Sequence, residues 1–174
     1  RAHHDYRGEQ SFNLIAYGPT DDWGSKRVTV RINAVDSPFI GDELRALAAL
    51  PRLDALIVPK AENPSDIVAI ADQLRAAAPD RAEPVALDLL IETALGLVNV
   101  DALTACHASV AALHLGVGDF AASIGARSSD IGVPPDGYRH VGSANSGCAT
   151  APLDLFAYPM MRLLVAARAR GLIA

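Results

Sequence analysis

Apolar residues recur along the chain in two spacings, and the two spacings alternate. Runs rich in β-branched residues and leucine predict strands at residues 28–33, within 54–62, at 85–91 and at 110–115. Stretches with apolar residues three or four positions apart predict helices that begin near residue 37 or 42, at 63, at 98 and at 153. The last residues, 172–174, look like the start of a further strand. Strands that alternate with helices in this way are typical of a parallel α/β sheet.

Two of the apolar runs are followed by an acidic residue. Glu92 follows the run at 85–91, and Asp119 follows the run at 110–115 after a short Gly-Val-Gly segment. Neighbouring parallel strands lie about 5 Å apart, and their carboxyl ends open onto the same edge of the sheet. Two carboxylates at that edge predict a site for one hard divalent cation, most simply Mg²⁺. The alternative is that Glu92 and Asp119 cap the helices that follow them.

Basic side chains belong to two other predicted strands. In the run at 28–33 apolar and polar residues alternate, so Arg31 faces away from the side that the helices cover. An arginine in that position implies an anionic partner, which is either a substrate anion or an acid on a neighbouring strand. Lys60 stands at the carboxyl end of the second run, directly after Pro59.

Four further features give weaker signals. Residues 116–121 match the dinucleotide pattern GxGxxA, but Asp119 would place a negative charge where that motif binds pyrophosphate. His114 has apolar neighbours, which favours a core histidine over a metal ligand. Residues 126–152 are rich in glycine, serine and proline, and we expect a long loop without regular structure. Residues 1–26 are polar and irregular, so we expect the folded domain to span residues 27–174.

Composition narrows the class of protein. Of the 174 residues, 51% are hydrophobic and 5% aromatic, a balance typical of an α/β enzyme. The net charge is −5 and the 15 basic residues are scattered, which argues against binding to nucleic acid. No apolar run approaches the ~18 residues that span a bilayer, and no signal peptide is evident. Cys106 and Cys148 form no CxxC pair, so we expect two free thiols and a cytoplasmic location.

Four stretches together carry a family resemblance: VTVRIN, LIVPKAE, LLIETALGLVN and LHLGVGDFAASIG. In order and spacing they resemble the HpcH/HpaI aldolases and the citrate lyase β-subunit (CitE-like) proteins, from roughly residue 23 to the end of the chain. Within that group, the DWG, GDFAASIG and GYRH…AARARGLIA stretches look most like malyl-CoA, methylmalyl-CoA and citramalyl-CoA lyases.

This resemblance implies a (β/α)₈ barrel, Mg²⁺, and reversible cleavage of a 3-hydroxyacyl-CoA. The products would be an acyl-CoA and a 2-oxo acid such as glyoxylate, and the complete protein would be a homo-oligomer. By the same resemblance Glu92 and Asp119 hold the metal, and Arg31 contacts substrate oxygens. The candidate substrate-binding positions are Arg31, Lys60, Gly116 and Gly118.

The number of predicted strands departs from the family pattern. A closed barrel has eight strands over roughly 250 residues, and four are predicted here, so we expect the chain to cover about the central half of the barrel. Half a barrel leaves sheet edges and inward apolar side chains uncovered, which predicts self-association and little lyase activity for this chain. Two other functions stay open, namely an HpaI-type aldolase acting on 4-hydroxy-2-oxo acids and an inactive fragment or pseudoenzyme.

Overall fold

The described part of the chain folds into a parallel sheet with helices between the strands. The computed structural model describes residues 24–127, 139–141, 150–152 and 154–174. In both spatial and chain order the strands are β1 (Thr29–Arg31), β2 (Ala55–Val58), β3 (Ala86–Ile91) and β4 (Val110–Leu115). The helices are α1 (Ile40–Ala48), α2 (Pro64–Ala77), α3 (Ala94–Val98), α4 (Val100–Ala105), α5 (Val117–Ser123) and α6 (Ala157–Arg168). The predicted parallel α/β sheet is confirmed.

One face of the sheet is apolar and is packed under the helices. Val30, Leu56 and Leu87 align across β1, β2 and β3, and the two leucines are 0% exposed. Leu44 of α1 and Ile67 of α2 belong to the same buried cluster. Burying a side chain of this size stabilises the fold by roughly 1.5–3 kcal/mol. This helix-covered face therefore supplies most of the core.

The opposite face, here called the inward face, is polar by comparison. Arg31 aligns with Ile57 of β2, which in turn aligns with Asp88 of β3. Farther along the sheet, Leu90 of β3 aligns with His114 of β4. Arg31 lies on the face away from the helices, as its place in the alternating pattern predicts, and it is exposed. The inward face therefore leads along β3 directly to Glu92.

The connection between β3 and β4 differs from the prediction of one helix over residues 98–107. Thr93 caps a helix that already begins at Ala94, because its Oγ1 accepts a hydrogen bond from the Gly96 N–H at 3.0 Å. The helix is interrupted at Asn99, whose side-chain amide donates a hydrogen bond to the Glu62 carbonyl at 2.9 Å. Two short helices result, and Gly96 lies inside the first of them. A Cβ on Gly96 would lie 2.5 Å from the Ala61 carbonyl oxygen, so only glycine lets α3 approach β2 this closely.

The C-terminal residues begin a further strand, as predicted. Ile173 forms a parallel bridge with Ala112, its N–H donates to the Ala111 carbonyl at 3.0 Å, and its carbonyl accepts from the Leu113 N–H at 2.9 Å. The outer edge of β4 is therefore partly paired, which corrects the expectation that this edge is uncovered. Helix α6 ends before Gly171, whose φ of 72° is the left-handed conformation typical of such a stop.

The region 126–152 contains regular structure, contrary to expectation. Strands β5 (Arg139–Val141) and β6 (Thr150–Pro152) pair in antiparallel fashion, with Arg139 opposite Pro152. Pro152 thus ends a strand instead of starting the last helix, which begins five residues later at Ala157. The predictions about residues 1–23 and Cys148 fall outside the described residues. Cys106 is a free thiol as expected, and none of the described helices has the length and apolarity needed to cross a membrane.

Candidate metal and substrate site

The two predicted metal carboxylates lie at the carboxyl ends of adjacent strands. Ile91 and Leu115 are the last aligned pair of β3 and β4, Glu92 follows the first of them, and Asp119 lies in the first turn of α5. Neither acid is the N-cap residue of the helix that follows it, so the alternative of two helix caps is wrong. Thr93 is the cap of α3, and Gly116 occupies the cap position of α5.

Glu92 is a buried carboxylate whose charge is only partly compensated. The residue is 6% exposed, and its Oε1 accepts a hydrogen bond from the Lys60 backbone N–H at 2.9 Å. Burial raises the pKa of Glu92 above its usual value, and the nearby Asp119 carboxylate raises it further. The Lys60 hydrogen bond and the charges of Arg31 and Lys60 act in the opposite direction. The other three residues predicted to form the charged part of the site, Asp119, Arg31 and Lys60, thus all influence the Glu92 carboxyl group.

Gly116 leaves the space that the Glu92 side chain occupies. A Cβ built on Gly116 would lie 2.5 Å from the Glu92 Cβ and 2.7 Å from its Oε2. Any other residue would displace the carboxylate, because real Cβ atoms do not make such contacts. Gly118 differs, since a Cβ there would meet no atom of the described residues within 4 Å. Of the two glycines predicted to contact substrate, Gly116 therefore has a clear steric role, and the described part of the chain gives none to Gly118.

Arg31 and Lys60 reach the site from the two preceding strands. Both are exposed, Arg31 on the inward face and Lys60 in the turn after β2. Lys60 adopts φ = 47°, a left-handed conformation that L-residues other than glycine, asparagine and aspartate rarely take. Both residues lie close enough for their charges to act on the Glu92 carboxyl group.

The ligand chemistry suits magnesium better than a softer metal. The described residues contain no group of three or more His, Cys, Asp or Glu side chains that could hold a metal ion. Two carboxylates without thiolate or imidazole form a hard oxygen donor set that leaves several coordination positions for water and substrate. Mg²⁺ is bound in this way, through one or two carboxylates plus substrate oxygens.

A second polar cluster on the inward face was missed by the sequence reasoning. Asp88 is 1% exposed, and Arg27 donates to both of its oxygens at 2.8 and 2.9 Å. His114 Nε2 lies 3.7 Å from the same carboxylate, and the His114 side chain is 46% exposed. The expectation that His114 is a core residue is therefore wrong: its apolar sequence neighbours pack on the other face of β4. The acid within the apolar run of β3 could have indicated a buried ion pair. Its partner Arg27 lies 61 residues away in sequence, so no local pattern identifies the pair.

Comparison with known proteins agrees with this geometry. The family model described as HpcH/HpaI aldolase/citrate lyase matches residues 20–139. The chain belongs to the HpcH/HpaI aldolase/citrate lyase family. Membership confirms the predicted resemblance and the barrel-type α/β fold class.

Two curated relatives are CoA-ester lyases by name. An L-malyl-CoA/β-methylmalyl-CoA lyase of Cereibacter sphaeroides is 34% identical over 138 residues, covering 77% of this chain and 43% of the relative. A malyl-CoA/β-methylmalyl-CoA/citramalyl-CoA lyase of Chloroflexus aurantiacus is 32% identical over 159 residues, covering 87% of this chain and 45% of the relative. The chain therefore spans less than half the length of these family members.

One similar solved structure contains a metal. The citrate lyase β subunit of M. tuberculosis, complexed with oxaloacetate and magnesium, superposes with a TM-score of 0.57 at 24% identity. The match covers 83% of this chain and 51% of that subunit. At this level of identity the likeness supports the common fold.

Proposed function

We propose that this chain carries the metal and substrate edge of a Mg²⁺-dependent carbon–carbon lyase that acts on 3-hydroxyacyl-CoA thioesters. The observation that carries the proposal is the pair of acids, Glu92 and Asp119, at adjacent strand ends with Arg31 and Lys60 beside them. The names of the two relatives, at 34% and 32% identity, support malyl-CoA or a close homologue as substrate. The oxaloacetate and magnesium in the solved relative support a 2-oxo acid bound with the metal.

The reaction breaks the bond between C2 and C3 of the thioester. The C3 hydroxyl loses its proton and becomes the carbonyl of the 2-oxo acid. The bonding electrons move into the thioester enolate, which takes up a proton at C2 to give the acyl-CoA. Bound Mg²⁺ would supply Lewis-acid polarisation of the oxygen on C3.

The residues of the chain have distinct tasks in this reaction. Glu92 and Asp119 hold the metal, and the burial of Glu92 keeps water from competing for its charge. The Arg31 guanidinium stabilises the negative charge that develops on the carbonyl or enolate oxygen. Lys60 adds a second positive charge for the substrate carboxylate. The Gly116 and Gly118 backbone allows the substrate to approach the start of α5.

Calorimetric titration tests the metal site. We expect the chain to bind Mg²⁺ together with oxalate or glyoxylate, and we expect Glu92→Gln and Asp119→Asn each to abolish that binding. Glu83→Gln and Asp72→Asn make the same charge changes at exposed positions away from the site and should bind like wild type. Equal binding by wild type, Glu92→Gln and Asp119→Asn would overturn the proposal.

An aldolase acting on free hydroxy-oxo acids would use a similar carboxylate pair. Cleavage assays with malyl-CoA beside a 4-hydroxy-2-oxo acid separate the two activities, and the identities to the malyl-CoA lyases favour the thioester. Turnover of the 4-hydroxy-2-oxo acid alone would assign the aldolase. Metal binding without turnover of either substrate would assign the inactive fragment or pseudoenzyme.

A further inference from the structure

Lys60 is the one non-glycine residue with a positive φ among the described residues, at 47°. This conformation brings Cβ close to the following carbonyl oxygen, so it is unfavourable for an ordinary side chain. Such a backbone persists only where the surrounding structure holds it, and it points to a function when it lies at a site.

The surroundings hold the Lys60 turn on both sides. Ala61 N–H donates to the Leu90 carbonyl at 3.3 Å, which ties the turn to β3. The Ala61 carbonyl packs against Gly96 of α3 so closely that a Cβ there would lie at 2.5 Å. Between these contacts, the Lys60 N–H points at Glu92 Oε1 over 2.9 Å. Lys60 thus combines a left-handed backbone with a hydrogen bond from its own amide to the Glu92 carboxylate.

The two Glu92 oxygens consequently have different neighbours. Oε1 receives the Lys60 N–H, whereas Oε2 lies on the side of Gly116, three residues before Asp119. We propose that Lys60 is a positioning residue that acts through its backbone amide: it fixes Oε1 and thereby presents Oε2 toward Asp119 as the metal-binding oxygen. This inference rests on the proposed function only in taking the occupant to be Mg²⁺.

A series of uncharged substitutions separates this backbone role from a role of the lysine side chain. Lys60→Gly, Lys60→Asn, Lys60→Ala and Lys60→Val all remove the same charge but differ in their tolerance of a left-handed backbone. We expect the Mg²⁺ affinity in calorimetry to fall in that order, with the valine variant about tenfold weaker than the glycine variant. Lys26→Gly removes the charge of the chain's other lysine and should bind like wild type. Equal affinities in all four Lys60 variants, or a glycine variant as weak as the valine variant, would overturn the inference.

A measurement without metal keeps the inference testable if the chain binds no Mg²⁺. Amide hydrogen exchange by NMR should show a protected Lys60 N–H in the wild-type chain, and Glu92→Ala should abolish that protection. The Ala61 N–H, bonded to Leu90, serves as the internal control and should stay protected. Unchanged Lys60 protection in Glu92→Ala would contradict the inference. Absence of Mg²⁺ binding with loss of Lys60 protection would refute the proposed function while supporting the hydrogen bond.

Discussion

Asp88 lies in β3 and Glu92 directly follows that strand, four residues farther along the inward face, yet the charges of the two acids are compensated to different extents. Asp88 is 1% exposed and receives two hydrogen bonds from the Arg27 guanidinium, so its charge is matched. Glu92 is 6% exposed and receives a backbone N–H, while burial and Asp119 raise its pKa. Asp88 has a counter-charge whose removal would destabilise the fold. The charge of Glu92 is only partly offset by Arg31 and Lys60, and such a carboxylate is suited to bind a cation.

The largest expected effect comes from breaking the matched pair. Arg27→Met leaves Asp88 buried with, among the described residues, only His114 as an ionic partner near it. We expect a loss of about 2–3 kcal/mol in the free energy of unfolding, less than for a fully buried pair because the Arg27 side chain is 42% exposed. Arg27→Met combined with Asp88→Asn should recover much of that loss, because no buried charge then remains unpaired. Urea denaturation of the two single variants and the double variant measures this coupling. A loss in the double variant equal to the sum of the two single losses would contradict the pairing.

The next largest effect comes from filling the space beside Glu92. Gly116→Ala places a methyl group 2.5 Å from the Glu92 Cβ, and we expect a loss of about 2 kcal/mol together with weaker Mg²⁺ binding. Gly118→Ala is the matched control, since its Cβ meets no described atom within 4 Å. Because alanine favours a helix over glycine, this variant should raise the free energy of unfolding by about 0.5–1 kcal/mol. Thermal unfolding and calorimetry would test both. A Gly116→Ala chain as stable as Gly118→Ala would show that the close contact is not real.

A smaller effect follows from the raised pKa of Glu92. The folded chain binds this proton more tightly than the unfolded chain, so Glu92 lowers stability as the pH rises above 4.5 and through the raised value. Without metal, Glu92→Gln should therefore match wild type at low pH and become the more stable protein as the pH rises. Urea midpoints across a pH series measure the difference. If the wild-type chain instead becomes more stable than Glu92→Gln as the pH rises, the pKa of Glu92 is not raised in the folded chain.

The smallest effect belongs to an ion pair outside the sheet. Arg162 of α6 donates to both oxygens of Asp101 in α4, at 2.9 and 2.6 Å, and lowers the pKa of Asp101. Because Asp101 is largely exposed, we expect Asp101→Asn to lose no more than about 0.5 kcal/mol, and only above the pH at which the carboxyl ionises. Urea denaturation at pH 7 compares it with Arg27→Met. A stability loss as large as that of Arg27→Met would show that the burial of Asp88 does not determine the size of the effect.

The sequence predicted those parts of the site that local pattern determines. Glu92 and Asp119 follow apolar runs separated by one short helical connection, and adjacent parallel strands bring such ends together. The alternation in β1 likewise placed Arg31 on the exposed face. These predictions needed only the strand period and the chain order.

The rest depended on contacts between distant parts of the chain. The partner of Asp88 is 61 residues away, and the exposure of His114 follows from which face of β4 the helices cover. The left-handed backbone of Lys60 accompanies contacts of the next residue, Ala61, with Leu90 and Gly96, which no sequence pattern displays. The antiparallel pair in the region 126–152 likewise joins segments separated by eight residues.

We expect the ionised Glu92 carboxylate to be unfavourable for folding unless a cation binds it. Thermal unfolding of wild type and Glu92→Gln at neutral pH, with and without saturating Mg²⁺, tests this directly. We expect Glu92→Gln to have the higher Tm without Mg²⁺ and the order to reverse when Mg²⁺ stabilises only the wild-type chain. An order of Tm values that Mg²⁺ leaves unchanged would contradict this role of Glu92.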